Sequence, residues 1–241
     1  MGGTVVSGYG LGRRTAAWLV HGLTASGVLW GLLALNAVFA GDAKACFLWL
    51  GVALVVDGID GTFARKAAVK EVLPWIDGSV LDLVIDYLTY VIVPAAFLAQ
   101  FGLMPHGLGL AGAGWVLLTS LYCFANVNMK SGDHYFVGFP AIWNVVVLYL
   151  WLLEPSVWVN AAVVLALGLL TFSTVTFLHP FRVRKLMGLN IAVTALWLAA
   201  GVWLVAEHPS RPLLPFALWL ATTAYYCGMC AWRTLKGPDR A

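Results

Sequence analysis

The chain has 241 residues, 61% of them hydrophobic and 10% charged, with a mean hydropathy of +0.87. Soluble domains average about 45–50% apolar and about 25% charged, so fourteen Lys and Arg with eleven Asp and Glu cannot cover a water-exposed surface of this size. The same balance, net +3, excludes a disordered chain and a nucleic-acid binder, and four Cys at 46, 123, 227 and 230 are too few and too scattered for a disulfide scaffold.

What remains is a polytopic membrane protein, one domain over 1–241. A helix needs about 20 apolar residues to cross about 30 Å of hydrocarbon. Eight segments qualify: 15–40, 45–65, 73–101, 108–127, 136–153, 157–178, 186–206 and 213–232. Their connections carry Gly, Pro, His and charges, as at 104–107 and 208–212. These are long apolar runs, not the short alternating strands of a β-barrel. The expected fold is therefore an all-α bundle of about eight transmembrane helices. The first run follows Arg13 and Arg14, and it exceeds the about 7–15 apolar residues of a signal peptide, so it reads as a retained span. Neither an internal repeat nor a matched pair of broken helices of the transporter kind is present in the sequence.

Charge sets the expected orientation. Twelve of the fourteen Lys and Arg, from Arg13 and Arg14 through Arg65, Lys66, Lys70, Lys130, Arg182, Arg184 and Lys185 to Arg240, fall on the side shared by both termini. Only Lys44 and Arg211 fall on the other. Positive loops stay inside, which places both termini and the loops after spans two, four and six in the cytoplasm.

Five of the eleven acidic residues lie in the stretches 55–65 and 77–86, with Asp57 and Asp60 in the second span and Asp82 and Asp86 in the third. Each carboxylate inside a span costs about 2.5–3.5 kcal/mol on the insertion scale. Four uncompensated ones would cost on the order of 10–14 kcal/mol, comparable to a whole protein's stability. Spacings of three and four put each pair on one helix face, partners about 4.5 and about 6 Å apart along the axis. A short loop joins the two spans, so the pairs should face each other near the cytoplasmic side. Four converging oxygen donors describe a site for one or two divalent cations, Mg²⁺ or Mn²⁺, which would also offset their charge. Gly61, Ala64 and Gly78 leave room for a bulky ligand, and Arg65 at the mouth can hold a phosphate. Together these residues read as phosphoryl transfer at the membrane surface. The competing reading, an ion-conducting carboxylate cluster, explains neither the glycines nor Arg65.

The pattern Asp57, Asp60, Gly61, Ala64, Arg65, Gly78, Asp82, Asp86 fills every position of the motif that defines the CDP-alcohol phosphotransferase family, which the chain resembles. Twelve residues separate Arg65 from Gly78, where most of the family has seven or eight. That spacer, the count of eight spans, and the segments 86–90, 133–144 and 179–184 are similar to the bacterial phosphatidylcholine synthase branch. The resemblance covers nearly the whole chain and extends the single domain to an integral-membrane phosphotransferase in the bacterial inner membrane, its site toward the cytoplasm. It implies condensation of CDP-diacylglycerol with choline to give phosphatidylcholine and CMP, with Mn²⁺ or Mg²⁺, two per site. By this likeness Asp57, Asp60, Asp82 and Asp86 hold metal, and Asp86 doubles as general base. Asp60, Gly61, Ala64, Arg65 and Gly78 bind the CDP-lipid. The implied partners are CDP-diacylglycerol, choline and membrane lipids, no nucleic acid, with a homodimer left open. A different alcohol acceptor (serine, inositol or glycerol 3-phosphate) is the alternative, and a divalent-cation transporter the more distant one.

A quaternary ammonium cannot donate a hydrogen bond, so aromatic faces are its natural partners. Tyr90, one turn beyond Asp86, is the best-placed candidate, followed by Tyr122, Tyr135, Phe139 and Trp143. Other aromatics, such as Trp115, Trp158 and Trp203, fit interfacial belts. Arg182, Arg184 and Lys185 fit ordinary positive-inside charge or a grip on a pyrophosphate or anionic lipid head. His21, His179 and the Cys227-x-x-Cys230 pair read as packing residues.

Overall fold

The structure, a computed structural model, describes residues 9–237. Arg240 and the chain ends, which the charge count puts in the cytoplasm, lie outside that range. The elements run α1 (Leu11–Ala25), α2 (Gly27–Phe39), α3 (Ala43–Lys66), a single turn α4 (Val69–Val72), α5 (Gly78–Asp86), a π-helical stretch (Tyr87–Ile92), α6 (Val93–Gln100), α7 (Gly109–Ala125), β1 (Phe136–Val137), α8 (Trp143–Leu153), α9 (Val157–Leu170), β2 (Thr176–Phe177), α10 (Met187–Glu207) and α11 (Leu213–Lys236).

The fold is that of an all-α membrane protein. Five helical runs are long and apolar enough to cross a bilayer: Leu11–Phe39, Ala43–Lys66, Gly78–Gln100, Met187–Glu207 and Leu213–Lys236. The other three expected spans coincide with α7, α8 and α9, which have 17, 11 and 14 residues. Large apolar side chains such as Leu19, Leu29, Leu118, Val202 and Leu214 are exposed, as a lipid-facing surface requires.

Two expected spans are shorter than their apolar runs, and the residues left over pair as a two-residue antiparallel ladder, Phe136 opposite Phe177 and Val137 opposite Thr176. The side-chain oxygens of Asn126 and Ser131 take the backbone N–H groups of Asn128 and Tyr135, offering the chain turns in place of a helix. Gly138 (φ +84°) lies so close to the Thr171 carbonyl that a Cβ would sit 2.3 Å from its oxygen, so only glycine serves there. The first span is divided at Ser26, whose hydroxyl donates to the Leu23 carbonyl (2.6 Å) and accepts from the Trp30 indole (3.2 Å). The third begins at Gly78 instead of 73, because Asp77 caps it by accepting from the N–H groups of Ser79 and Val80. Its π-helical stretch precedes Pro94, which has no N–H for the Tyr90 carbonyl, and the widened turn accommodates that lost bond.

The core centres on Phe47, whose ring lies 4.8 Å from Phe97 and 5.1 Å from Trp151. Helix α1 packs on both α3 and α5, and α2 packs on α3. At Gly27 and Gly31 the α2 backbone meets the third span directly: a Cβ would come 2.4 Å from Ile85 and 2.6 Å from Leu88. The two helices that carry the motif are thus both braced by the first span. Lys44 and Arg211 lie toward one end of the bundle, where Lys44 Nζ donates to the Ala206 carbonyl at the end of α10 (2.9 Å) and Arg211 to Glu154 (2.8 Å).

Candidate active site

Helix α3 carries Asp57, Asp60, Gly61, Ala64 and Arg65; α5 carries Gly78, Asp82 and Asp86. The four aspartates border a recess also lined by Thr24 and Gly27, with apolar walls from Ala53, Val56 and Ile85. Carboxylate oxygens of Asp57, Asp82 and Asp86 lie within 4.8 Å of one another. Three oxygen anions so close repel strongly in a poorly polarisable setting, and a hard divalent cation is the ligand that removes the repulsion. The donor set fits such an ion.

Asp60, expected in the same cage, lines the recess but accepts a hydrogen bond from the Thr24 hydroxyl (2.7 Å) and is 6% exposed. Thr24 and Gly27 are parts of the site absent from the sequence-based set. A signal existed for both: Thr24 is a polar residue in an apolar run, and Gly27 and Gly31 have the small-xxx-small spacing of close helix contacts.

The remaining expected residues scatter. Arg65 is exposed, donates to Thr62 (3.0 Å), and lies alongside Gly61, where a Cβ would be 3.5 Å from its guanidinium. Ala64 packs on the small cluster of Ala17, Val69, Val72 and Leu73. Gly78 faces His21, whose ring would be 3.3 Å from an added Cβ. Of the aromatic candidates, Tyr90 adjoins the carboxylates, its hydroxyl donating to Asp57 at 2.7 Å. Tyr122 is exposed and packs on Phe172; Tyr135 is buried beneath Arg233. Trp143 is 1% exposed in the core, donating to Ser120 (2.9 Å), with Phe139 edge-on against it at 4.9 Å.

The loops on either side of the β1–β2 ladder contribute charge. Lys130 and Arg182 are exposed and within electrostatic reach of Asp57 and Asp82, and Lys130 also of Asp86. The Lys130 loop is tied to α11 by a two-point ion pair, Arg233 Nε to Asp133 Oδ2 (2.6 Å) and Nη2 to Oδ1 (3.0 Å). Those hydrogen bonds hold the Asp133 carboxyl down at about 2. His179 stacks flat on Phe136 (5.2 Å, 6°); burial first, then Arg182 and Lys130, push its pKa down to about 4, so the ring is neutral at pH 7.

A membrane-embedded helical protein with converging carboxylates on adjacent spans is thus the class that fold and site define. Comparison with known proteins narrows it. The chain is 53% identical over 224 residues, 93% of its length and 94% of the relative's, to a phosphatidylcholine synthase of Pseudomonas aeruginosa. It is 41% identical to one from Agrobacterium fabrum (88% of each chain), and 32% identical to one from Legionella pneumophila (91% of this chain, 87% of the other). No family model matches the chain. The chain belongs to the phosphatidylcholine synthase family.

Proposed function

We propose that this protein transfers the phosphatidyl group of CDP-diacylglycerol to choline, releasing CMP, in the bacterial inner membrane, as eight spans with both termini cytoplasmic. The observation that carries this reading is the meeting of Asp57, Asp82 and Asp86 within 4.8 Å, on helices bearing all eight positions of the phosphotransferase pattern. The relatives' name, phosphatidylcholine synthase, supports phosphatidylcholine as the product.

Asp57, Asp82 and Asp86, with Asp60 beside them, hold Mg²⁺ or Mn²⁺, two ions in the full site. When bound, the ions supply electrostatic stabilisation of charge developing on the phosphate oxygens. Asp60, fixed by Thr24, borders the CDP-lipid together with Gly61, Ala64, Arg65 and Gly78. Choline's oxygen forms a bond to the phosphorus adjoining diacylglycerol while the bond to the CMP oxygen breaks. The hydroxyl proton passes to Asp86, the last of the carboxylates along α5. Tyr90 is the aromatic residue we assign to the acceptor end; its hydroxyl fixes Asp57, and its ring lies one turn past Asp86. Tyr122, Tyr135 and Trp143 are given no part in holding choline, since their contacts are with Phe172, Arg233 and Ser120.

Purified protein in nanodiscs with CDP-diacylglycerol and Mn²⁺ should release CMP only when choline is added, and serine, inositol and glycerol 3-phosphate should not replace it. Turnover with one of those would move the assignment to another acceptor. No CMP release, with divalent-cation flux in proteoliposomes, would overturn the enzyme reading in favour of a transporter.

A further inference from the structure

Lys130 and Arg182 reach the carboxylate cluster from two different loops, and neither is spent on it. Among the described residues, neither cation has a carboxylate within 4.0 Å; the ion pairs belong to Glu154 and Asp133. Both nonetheless act electrostatically on Asp57 and Asp82. These are exposed cations near the carboxylates, but not paired with them.

The two cations are held there. Lys130 forms a backbone bridge to Phe136, and its ammonium lies over the Phe136 ring at 5.6 Å. Phe136 stacks on His179, and β1 pairs with β2, so the two loops are joined to each other. Phe181, next to Arg182, lies over Gly58, the residue after Asp57; a Cβ there would be 3.7 Å from its ring. The Asp133–Arg233 pair fastens the Lys130 loop to α11. The neighbouring cations sit elsewhere: Arg184 and Lys185 border a separate cleft of about 400 Å³ with His134 and Tyr135, and Lys185 lies 3.7 Å over the Trp232 ring.

We infer that Lys130 and Arg182 form a two-sided clamp for the diphosphate of a nucleotide-activated lipid, held opposite the acidic cluster by the β1–β2 ladder. The inference rests on the function proposed above and deepens it. The chemistry excludes the other occupant of the site: a quaternary ammonium is repelled by these two side chains, whereas a diphosphate bears two negative charges for them to meet. An acceptor cation therefore gains by entering after the diphosphate has neutralised the clamp. Free diphosphate or phosphate shares this chemistry, and the ligands used in the test separate the sources.

The test uses full-length protein in nanodiscs and the variants Lys130→Gln, Arg182→Gln, the double variant, and Lys130→Arg, with Lys70→Gln as a charge control. Binding of CDP-diacylglycerol, CDP and inorganic pyrophosphate is measured beside steady-state kinetics. Loss of one charge-assisted hydrogen bond is worth roughly 10- to 100-fold. The KM for CDP-diacylglycerol and the Kd for CDP should each rise about tenfold or more in either single Gln variant, and further in the double. Lys130→Arg should retain most affinity, Lys70→Gln should match wild type, and the choline KM should not change. Tighter binding of CDP-diacylglycerol than of pyrophosphate assigns the clamp to the nucleotide-lipid; equal binding makes it a general anion site and overturns the assignment. Unchanged CDP-diacylglycerol affinity in active Gln variants overturns the clamp and leaves the enzyme reading standing, as does a rise confined to the choline KM. Wild-type protein that neither binds nor turns over CDP-diacylglycerol would bring down both.

Discussion

At the scale of single residues, the aspartates divide by what surrounds them. Asp57 is fixed by Tyr90, Asp60 by Thr24, and Asp86 lies in the cluster with no hydrogen bond among the described residues. A base must be free to accept a proton; Asp82 and Asp86 both lack a side-chain hydrogen bond among the described residues, and Asp86, the later of the two along α5, is the one we propose as base. Replacing it with Asn should lower turnover by roughly 10²–10⁴-fold while most affinity for CDP-diacylglycerol remains. Asp57→Asn should lose metal affinity as well as turnover, since it removes a charged donor from the cage. Binding and turnover measured on each variant separate the two roles; equal losses of both in Asp86→Asn would make Asp86 chiefly a metal ligand. These carboxylates were legible in the sequence because spacings of three and four fix a shared helix face and intramembrane charge is costly. The partners that hold them were not. Thr24 meets Asp60 across 36 positions of chain, a contact that depends on how α1 packs, which no local pattern encodes. The aromatic set was ambiguous for a related reason: Tyr90 and Trp143 are equally aromatic in sequence, and only packing sends one to Asp57 and the other into the core.

At the scale of elements, helix existence was legible and helix length was not. Apolar runs located every described helix except the single turn α4, but hydropathy does not register side chains that draw backbone N–H groups into turns, so 126–127 and 136–142 read as parts of spans. The closeness of α2 to the third span is the element-level feature on which the site depends. Gly27 lines the recess and touches Ile85, which adjoins Asp86; a Cβ would sit 2.4 Å from the Ile85 methyl. Gly27→Val must therefore push α5 away or force Ile85 off its rotamer, at a cost of about 1–3 kcal/mol for overpacking. We expect a lower melting temperature in detergent and a loss of turnover larger than that shift alone explains, because the displaced segment carries Asp82 and Asp86. Gly22→Ala, on the same span with nothing within 4 Å of the added Cβ, should behave as wild type. Equal activity of the two variants would show that the site tolerates movement of α5.

At the scale of the whole molecule, the two ends of the bundle differ in charge and in chemistry. Lys44 and Arg211 share the end where α3 begins and α10 stops. Helix α3 has 24 residues and so rises about 36 Å to the opposite end, near Lys70. Asp57 lies nine residues before the end of α3, about 14 Å below it, and Asp82 is in the second turn of α5. The carboxylates therefore lie nearer the Lys70 end, and the excess of Lys and Arg there is the ground on which we propose that this end faces the cytoplasm. Single cysteines test this directly. In a background with Cys46, Cys123, Cys227 and Cys230 replaced by Ala, the exposed positions Ser210 and Lys70 can each be changed to Cys. A membrane-impermeant thiol reagent should label Ser210→Cys in spheroplasts and Lys70→Cys only in inside-out vesicles. The reverse pattern would invert the protein and put the acidic cluster on the outer face, away from cytoplasmic choline. Labelling of both from one side would mean that α3 does not cross the membrane, and the carboxylates would then lose the low-dielectric setting on which the proposed cation site depends.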